Sequence, residues 1–355
     1  MEPEPVDLFV SGVVFLDIIF TGLHELPAPG VEVWAPGMGS CPGGIANLAV
    51  AAARLGLRTG LGTALATDAY GDFCAQILRD QEGIDLSFSR RVSEGHSPVT
   101  VSLAYQRDRS MITHGHPLPV GPSGLVDSLP AARAASVSLV KGPLPWVAQA
   151  RANGTLVFAD VGWDDTAQWP VEALDVLSDC HAFLPNAVEA MQYTRAASPA
   201  EALRRLSGLV PVVVVTQGSD GALAVDATTG ESVDAPGVRL EALDPTGAGD
   251  VFAAGFVLGT LRGWPLEQRL AFANLIAALS VQHFGGSLSA PGWGDIADWW
   301  RATRQAASRH HPLSDEASLA ARYGFLDDVI PRGEQRSVRR AGATIARLSD
   351  AQAHE

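Results

Sequence analysis

Residues 211–218, PVVVVTQG, set four consecutive valines ahead of a polar turn. A strand that buries one face alternates apolar and polar residues, whereas an unbroken β-branched run buries both. Such a strand needs covering layers above and below its sheet. Four further segments read as strands, at 7–20, 58–67, 135–142 and 154–162, and helix-period stretches occupy 44–56, 70–82, 171–179 and 199–207. The alternation predicts βαβ units and a parallel sheet covered by helices on both faces. Two segments break it. Residues 97–115 read as an antiparallel hairpin turning at Gln106 to Arg109, and 31–37 as a short strand bounded by prolines and glycines. Neither has a crossover helix, so the two are expected to form a small separate β lid.

A chain of 355 residues, 47% hydrophobic and 18% charged, can fill one large α/β domain or two smaller ones. It has no apolar run of about 18 residues, so no membrane span is expected. The start, MEPEPVDLFV, lacks the basic region and cleavage site of a signal peptide. Cys41, Cys74 and Cys180 are odd in number and far apart, which predicts reduced thiols in a cytoplasm and no zinc site. The formal charge of −14 argues against a general nucleic-acid or membrane surface. From about residue 309 the chain grows richer in arginine and reads as a C-terminal extension, 309–355, beyond a domain of residues 1–308.

Residues 241–256, EALDPTGAGDVFAAGF, place Gly247, Gly249 and Asp250 at the mouth of an apolar helical run. Two readings are open. Asp250 can cap a helix that follows a tight glycine turn. Alternatively, the backbone N–H groups cradle an anion at the helix start, and the carboxylate accepts a proton from that anion's reaction partner. Phosphoryl transfer needs both parts. A P-loop is excluded as the cradle, because Lys141 is the only lysine and lies in SLVKGPLP, without the G-x-x-x-x-G-K-[ST] spacing.

DPTGAGDVFAAGF resembles the C-terminal signature of the ribokinase-like, or PfkB, carbohydrate kinases, and CPGGIANLAVAAARLG (41–56) is similar to their N-terminal signature. GVVFLD (12–17), LPNAVEA (184–190), VVVTQGSDGA (213–222) and NLIAALSVQHFGGSLSAP (274–291) follow in the family's order, so the resemblance covers about residues 7–305. It implies a ribokinase-like, doubly wound α/β kinase domain with a small β lid. Asp250 would be the general base, and Gly247, Ala248 and Gly249 the anion hole. Asp17, Gly43, Gly44 and Asn47, with Asp250, would hold sugar hydroxyls. Asn186 and Glu189 would contact Mg2+ through its water shell. Thr216, Gly218 and Gly221 would border ATP together with Gly247 and Gly249, and Asn274 would lie beside the adenine or ribose. Asp244, the backbone of Thr246 and Ser289 match positions that often hold a monovalent cation such as K+. Simpler roles exist for each: a loop at Gly43-Gly44, a first-turn residue at Asn47, a helix-capping pair at Asn186 and Glu189, a backbone or water partner for Asn274.

The resemblance implies a cytoplasmic, ATP-dependent and Mg2+-dependent kinase acting on a sugar hydroxyl. A nucleoside kinase of the same superfamily and a non-catalytic sugar or nucleotide sensor are the alternatives. Two departures bear on substrate identity: Thr67-Asp68 stands where an acidic pair is common, and Trp163 where many members carry an asparagine or an arginine-containing loop. His24, His114 and His116 fall in or near the lid and read as surface or hairpin packing, His310-His311 as tail, and Trp299-Trp300 as a helix packed on the core. A sugar phosphate would need lysine or arginine near the lid. Segment 21–40 has neither, and instead offers Glu25, Glu32 and Trp34, while Arg107 and Arg109 lie at the hairpin turn. An unphosphorylated substrate is therefore expected. The lid's free edge predicts a homodimer paired through the lids; a fully active monomer in sedimentation at micromolar concentration would reject it.

Overall fold

The computed structural model describes residues 5–105, 108–116, 125–126, 129–139, 144–161, 168–283, 285–309, 311 and 314–333. The strands are β1 (Val6–Ser11), β2 (Val14–Leu23), β3 (Gly37–Gly44), β4 (Thr59–Gly62), β5 (Ala64–Ala66), β6 (Arg90–Val92) and β7 (Val99–Tyr105). They continue as β8 (Asp108–His114), β9 (Ala132–Leu139), β10 (Leu156–Val161), β11 (Ala182–Phe183), β12 (Val212–Thr216), β13 (Gly221–Asp226) and β14 (Glu231–Pro236). The first five helices are α1 (Ala46–Arg54), α2 (Ala69–Gln76), α3 (Pro145–Ala152), α4 (Ala187–Thr194) and α5 (Pro199–Leu206). The remainder are α6 (Ala248–Leu261), α7 (Leu266–Ser280), α8 (Trp293–Arg309), α9 (Asp315–Arg322) and α10 (Leu326–Val329).

Eight strands form one sheet in the order β14-β13-β12-β11-β10-β9-β1-β4. Neighbours from β4 to β12 pair parallel, and β13 and β14 add an antiparallel edge. The valine run is buried on both faces. Val212 and Val214 enter one apolar layer, with α1, α6 and α7, while Val213 and Val215 enter the other, with α3, α4 and α5. From β1 the order runs one way to β4 and the other way to β9 and β10, so the strand order reverses there. In open sheets of this kind the carboxyl ends of the strands around such a reversal form the binding crevice.

The second sheet has the order β3-β2-β7-β8 and is the lid. Here the structure corrects several boundaries. The expected strand 7–20 breaks at Gly12, where a Cβ would lie 3.1 Å from the Cβ of Ile45, and its two halves join different sheets. The segment 58–67 likewise divides between the main sheet and the pair β5–β6. Residues 31–35 form no strand, and Val31 and Trp34 are exposed; the lid's edge strand begins at Gly37. The stretch 171–179 is a 3₁₀ rather than an α-helix. The hairpin 97–115 is present as β7 and β8, with Gln106 and Arg107 outside the described residues. Lys141, Trp163 and His310 also lie outside them. At the lid's outer edge, Met111 and Ile112 of β8 are 53% and 70% exposed. No helix among the described residues is long and apolar enough to cross a membrane.

The residues after 309 that are described, up to 333, pack back on the domain. Tyr323 is fully buried, its hydroxyl donates to the Ala271 carbonyl of α7 at 3.0 Å, and its ring meets Trp299 edge-on at 5.0 Å. Trp300 Nε1 donates to Asp327 Oδ1 at 2.8 Å, so the Trp299-Trp300 pair serves packing. Tyr323→Ala should therefore cost roughly 3–5 kcal/mol, the usual range for deleting a buried aromatic ring. Chemical denaturation would show this as a lower midpoint, and an unchanged midpoint would mean that α9 and α10 are dispensable to the core.

Candidate active site

The site begins where the first turns of α1 and α6 meet. Both helices are buried on nearly all sides, and small residues let them approach. On another side of α6, Gly255 lets α7 close in, since a Cβ there would lie 2.6 Å from Ile276 Cδ1. Gly247 caps α6 in the left-handed conformation (φ 78°), and a Cβ there would come 3.2 Å from Asn47 Cγ. A side chain is therefore excluded by both conformation and space. Asn47 Nδ2 donates to Asp250 Oδ2 at 3.1 Å, across 203 positions of sequence. No side chain caps α6. Ala248 N–H donates to Pro245 O at 3.3 Å, so of the expected anion-hole donors it is the one already engaged in the turn. The N–H groups of Gly249 and Asp250 take no partner among the described residues, and a Cβ added at Gly249 would stand in open space.

Asp17, on the lid strand β2, reaches the same place. Gly43 approaches it so closely that a Cβ would fall 1.9 Å from Asp17 Oδ2, and Gly44 takes a positive φ of 63°. At Gly286 a methyl group would touch Asn47 Oδ1, Cys41 Sγ and Asp17 Oδ2 at 3.5, 3.5 and 3.7 Å. Asp17, Gly43, Gly44, Asn47, Gly247 and Asp250 are thus brought together. Asn47 Oδ1 is buried without a partner among the described residues. Buried polar atoms are normally paired, so this one favours a hydroxyl donor from a ligand.

The electrostatics add a residue absent from the sequence reading. Burial pushes the Asp250 carboxyl up to about 7, and the nearby charge of Asp160 pushes in the same direction. Asp160 is the penultimate residue of β10, and burial raises its own carboxyl to about 6. Glu189 is raised to about 7, first by burial and further by Asp160. Asp160 therefore stands between Asp250 and Glu189, linking the two by charge. Its signal in the sequence was its place at the carboxyl end of a parallel strand, one residue into ADVGWDD. Buried carboxylates held above their ordinary pKa, two of them further raised by Asp160, favour a cation among them.

Asn186 and Glu189 form a reciprocal cap on α4: Glu189 N donates to Asn186 Oδ1 at 3.0 Å and Asn186 N to Glu189 Oε2 at 2.8 Å. The capping role is real, and it fixes the carboxylate at the crevice. A bridge between Asn186 and Thr216 brings this turn beside the end of β12. There a pocket of about 500 Å³ is lined by Thr216, Gly218, Gly221, Gly249 and Asn274, with Arg239 on its wall. Gly218 and Gly221 have φ values of 60° and 106°. Asn274 Nδ2 donates to Ala235 O at 3.1 Å, so its buried amide has a backbone partner while the residue borders the pocket. Arg239 was missed because a lone arginine in a loop carries no pattern. Asp244 is buried; its Oδ1 accepts from Thr246 N at 2.9 Å, and its Oδ2 has no partner among the described residues. Ser289 is buried as well, its hydroxyl donating to Gly286 O at 2.7 Å. Of the lid histidines, His24 stands apart, and His114 and His116 associate with His96.

The geometry agrees with what known proteins report. Residues 29–293 match the family described as pfkB family carbohydrate kinase. The chain is 26% identical over 277 residues to a 5-dehydro-2-deoxygluconokinase of Shouchella clausii, covering 72% of this chain and 84% of that one. It is 27% identical over 311 residues to a nucleoside kinase of Methanothermobacter thermautotrophicus, covering 82% and 94%. Among solved structures it superposes on Arabidopsis thaliana ribokinase complexed with ribose and ATP, with a TM-score of 0.68 and 26% identity over 83% of this chain and 98% of that chain. With three quarters of its length matched by the family's pattern, and with the two signature segments meeting at one hydrogen bond, the chain belongs to the pfkB family of carbohydrate kinases.

Proposed function

We propose that the protein transfers the terminal phosphoryl group of ATP to a hydroxyl of an unphosphorylated sugar, with Asp250 as the general base. The observation that carries the reading is the Asn47–Asp250 hydrogen bond beside the uncapped start of α6. It sets a proton acceptor next to open backbone donors, and both are needed at the same reacting centre. Asp17 and Asn47 accept and donate to sugar hydroxyls, and Gly43 and Gly44 leave room for the ring. An acceptor hydroxyl held there gives its proton to Asp250 as its oxygen attacks the terminal phosphorus; the bond to the leaving oxygen of ADP breaks. The N–H groups at Gly249 and Asp250 meet the charge on the transferring group.

ATP fits the pocket that ends at Gly249, where glycines with positive φ admit phosphates and Arg239 supplies a positive charge. The repelling carboxylates of Asp160 and Glu189 fit a magnesium ion, which would supply neutralising charge to the phosphates. The partnerless Asp244 Oδ2 fits a monovalent cation, with the Thr246 backbone and Ser289 as further ligands. A second reading, a nucleoside kinase, is supported by the similarity to the nucleoside kinase of Methanothermobacter thermautotrophicus.

ATP consumption against neutral sugars, 5-dehydro-2-deoxygluconate, nucleosides and sugar phosphates tests the substrate class. The expected result is turnover on a neutral sugar; preference for a sugar phosphate would overturn it. On that substrate Asp250→Asn should lower kcat by about 10²–10⁴-fold with ATP affinity retained, since size is kept and proton acceptance is lost. Turnover within tenfold of wild type would remove Asp250 from the base role. The pH profile is a separate check. A base must be ionised, so kcat/KM should rise with pH to a plateau above an apparent pKa near 7. Asp160→Asn removes a negative charge that opposes ionisation of Asp250, and its acid limb should move to lower pH. A limb that stays in place would show that Asp160 does not govern the base.

A further inference from the structure

Outside the crevice, three histidines converge on the lid. His96 precedes β7, His114 ends β8 and His116 lies two residues beyond. Their nearest donor atoms all lie within 4.8 Å of one another. The His96 ring centroid is 4.9 Å from that of His114 and 4.4 Å from that of His116. His114 and His116 are exposed and His96 is half-buried, so the cluster is open to solvent.

The backbone is shaped for this meeting. The hairpin pairs Val99 with His114, which sets the residues before β7 against those after β8. Gly115 lets the two segments touch, since a Cβ there would fall 2.8 Å from Pro98 Cβ. Asp68, at the start of α2, accepts from Ser97 N at 2.7 Å and Ser97 Oγ at 2.8 Å, which ties the His96 segment down. His96 Nδ1 is 2.9 Å from the Ser97 carbonyl, which only accepts, so Nδ1 carries the proton and Nε2 of the neutral ring keeps its lone pair. His114 Nε2 lies 3.1 Å from that lone pair. A histidine whose second nitrogen is held by a backbone carbonyl is oriented as metal-ligating histidines are.

We propose that His96, His114 and His116 form a binding site for a divalent transition-metal ion of the zinc class. Three neutral imidazoles suit Zn2+, Ni2+ or Cu2+. In a tetrahedral zinc site the ligating nitrogens stand about 3.3 Å apart, from Zn–N distances of about 2.0–2.1 Å. The His96–His114 pair is at that spacing already, and rotation of exposed rings brings in the third. Mg2+ prefers oxygen ligands, so this site and the carboxylates of the crevice select different ions. The absence of paired cysteines, which argued against zinc from sequence, does not bear on an all-histidine site. The register Asp17↔Thr100 and Thr100↔Thr113 places Asp17 two strands from β8, about 10 Å at ordinary strand spacing. A bound ion would clamp the ends of β7 and β8 that lie nearest to Asp17.

The test uses the full chain without a histidine tag, with Mg2+ present throughout. Calorimetry with Zn2+ should give one saturable equivalent, and Co2+ should give the visible ligand-field bands of four-coordinate nitrogen ligation. His114→Ala and His116→Ala should each weaken Zn2+ by about tenfold or more, whereas His311→Ala should not. Binding should fade at acid pH, since protons compete for the same nitrogens. Because His114 and His116 are exposed, circular dichroism of their variants should match wild type. Absence of saturable binding, or equal binding by wild type and the His114→Ala and His116→Ala variants, would overturn the proposal.

Discussion

The contact between Asn47 and Asp250 depends on two helices starting at the same point, and much of the structure exists to make that happen. Helices α1 and α6 could not be covered on nearly every side and remain close if their inner faces carried bulky residues; the alanines of α1 remove that obstacle, and Gly255 lets α7 close on another side of α6. Gly247 has to be glycine twice over, for its left-handed backbone and for the nearness of Asn47. Once those helix starts are fixed, the orphan N–H groups of α6 and the carboxylate of Asp250 open onto one crevice. A helix start without a side-chain cap is costly in isolation. It is reasonable where an anion supplies the missing partner.

Around that point the carboxylates crowd together, a pattern that cations would balance in the proposed chemistry. Asp17, Asp250, Asp160 and Glu189 act on one another along the carboxyl edge of the sheet, and burial raises three of them toward neutrality. A site meant for phosphates would not be lined with carboxylates unless ions came with the nucleotide. Burial, with repulsion from Asp160 and Asp17 added, sets a useful acidity in that chemistry: a base near 7 is half ionised at neutral pH and accepts a proton readily. In the proposed chemistry, then, the raised pKa of Asp250 comes from its placement and needs no special partner.

The lid shows how little local sequence says about which sheet a strand joins. Residues 7–20 are mostly apolar, yet Gly12 divides them, because Ile45 packs against the break. One half becomes β1, between β9 and the edge strand β4, and the other carries Asp17 over the crevice. Val31, Val33 and Trp34 look like a strand by composition, but no strand pairs with them among the described residues: Val31 N–H turns back to Ala28 O at 3.0 Å, and the three remain irregular and exposed.

What the sequence determined by itself was the layering and the two signature segments. An unbroken valine run has to be covered on both faces, and it is; glycines beside Asp250 and Asn47 marked the crevice because few other residues tolerate those backbones. Asn186, Glu189, Thr216, Gly218, Gly221 and Asn274 were legible through their order along the chain, and the structure gathers them around the crevice and its pocket. What only the tertiary structure decided was proximity between segments that carry no mutual pattern. Asp160 and Arg239 are single residues in ordinary contexts, and nothing local reveals that one is wedged between two carboxylates while the other lines a pocket. The three lid histidines are separated by a hairpin, so their meeting follows from strand register and from Gly115, neither of which a linear reading can place. Periodicity and glycine constraints act within a few residues and survive in the sequence, whereas charge coupling and side-chain convergence depend on distances that exist only after folding.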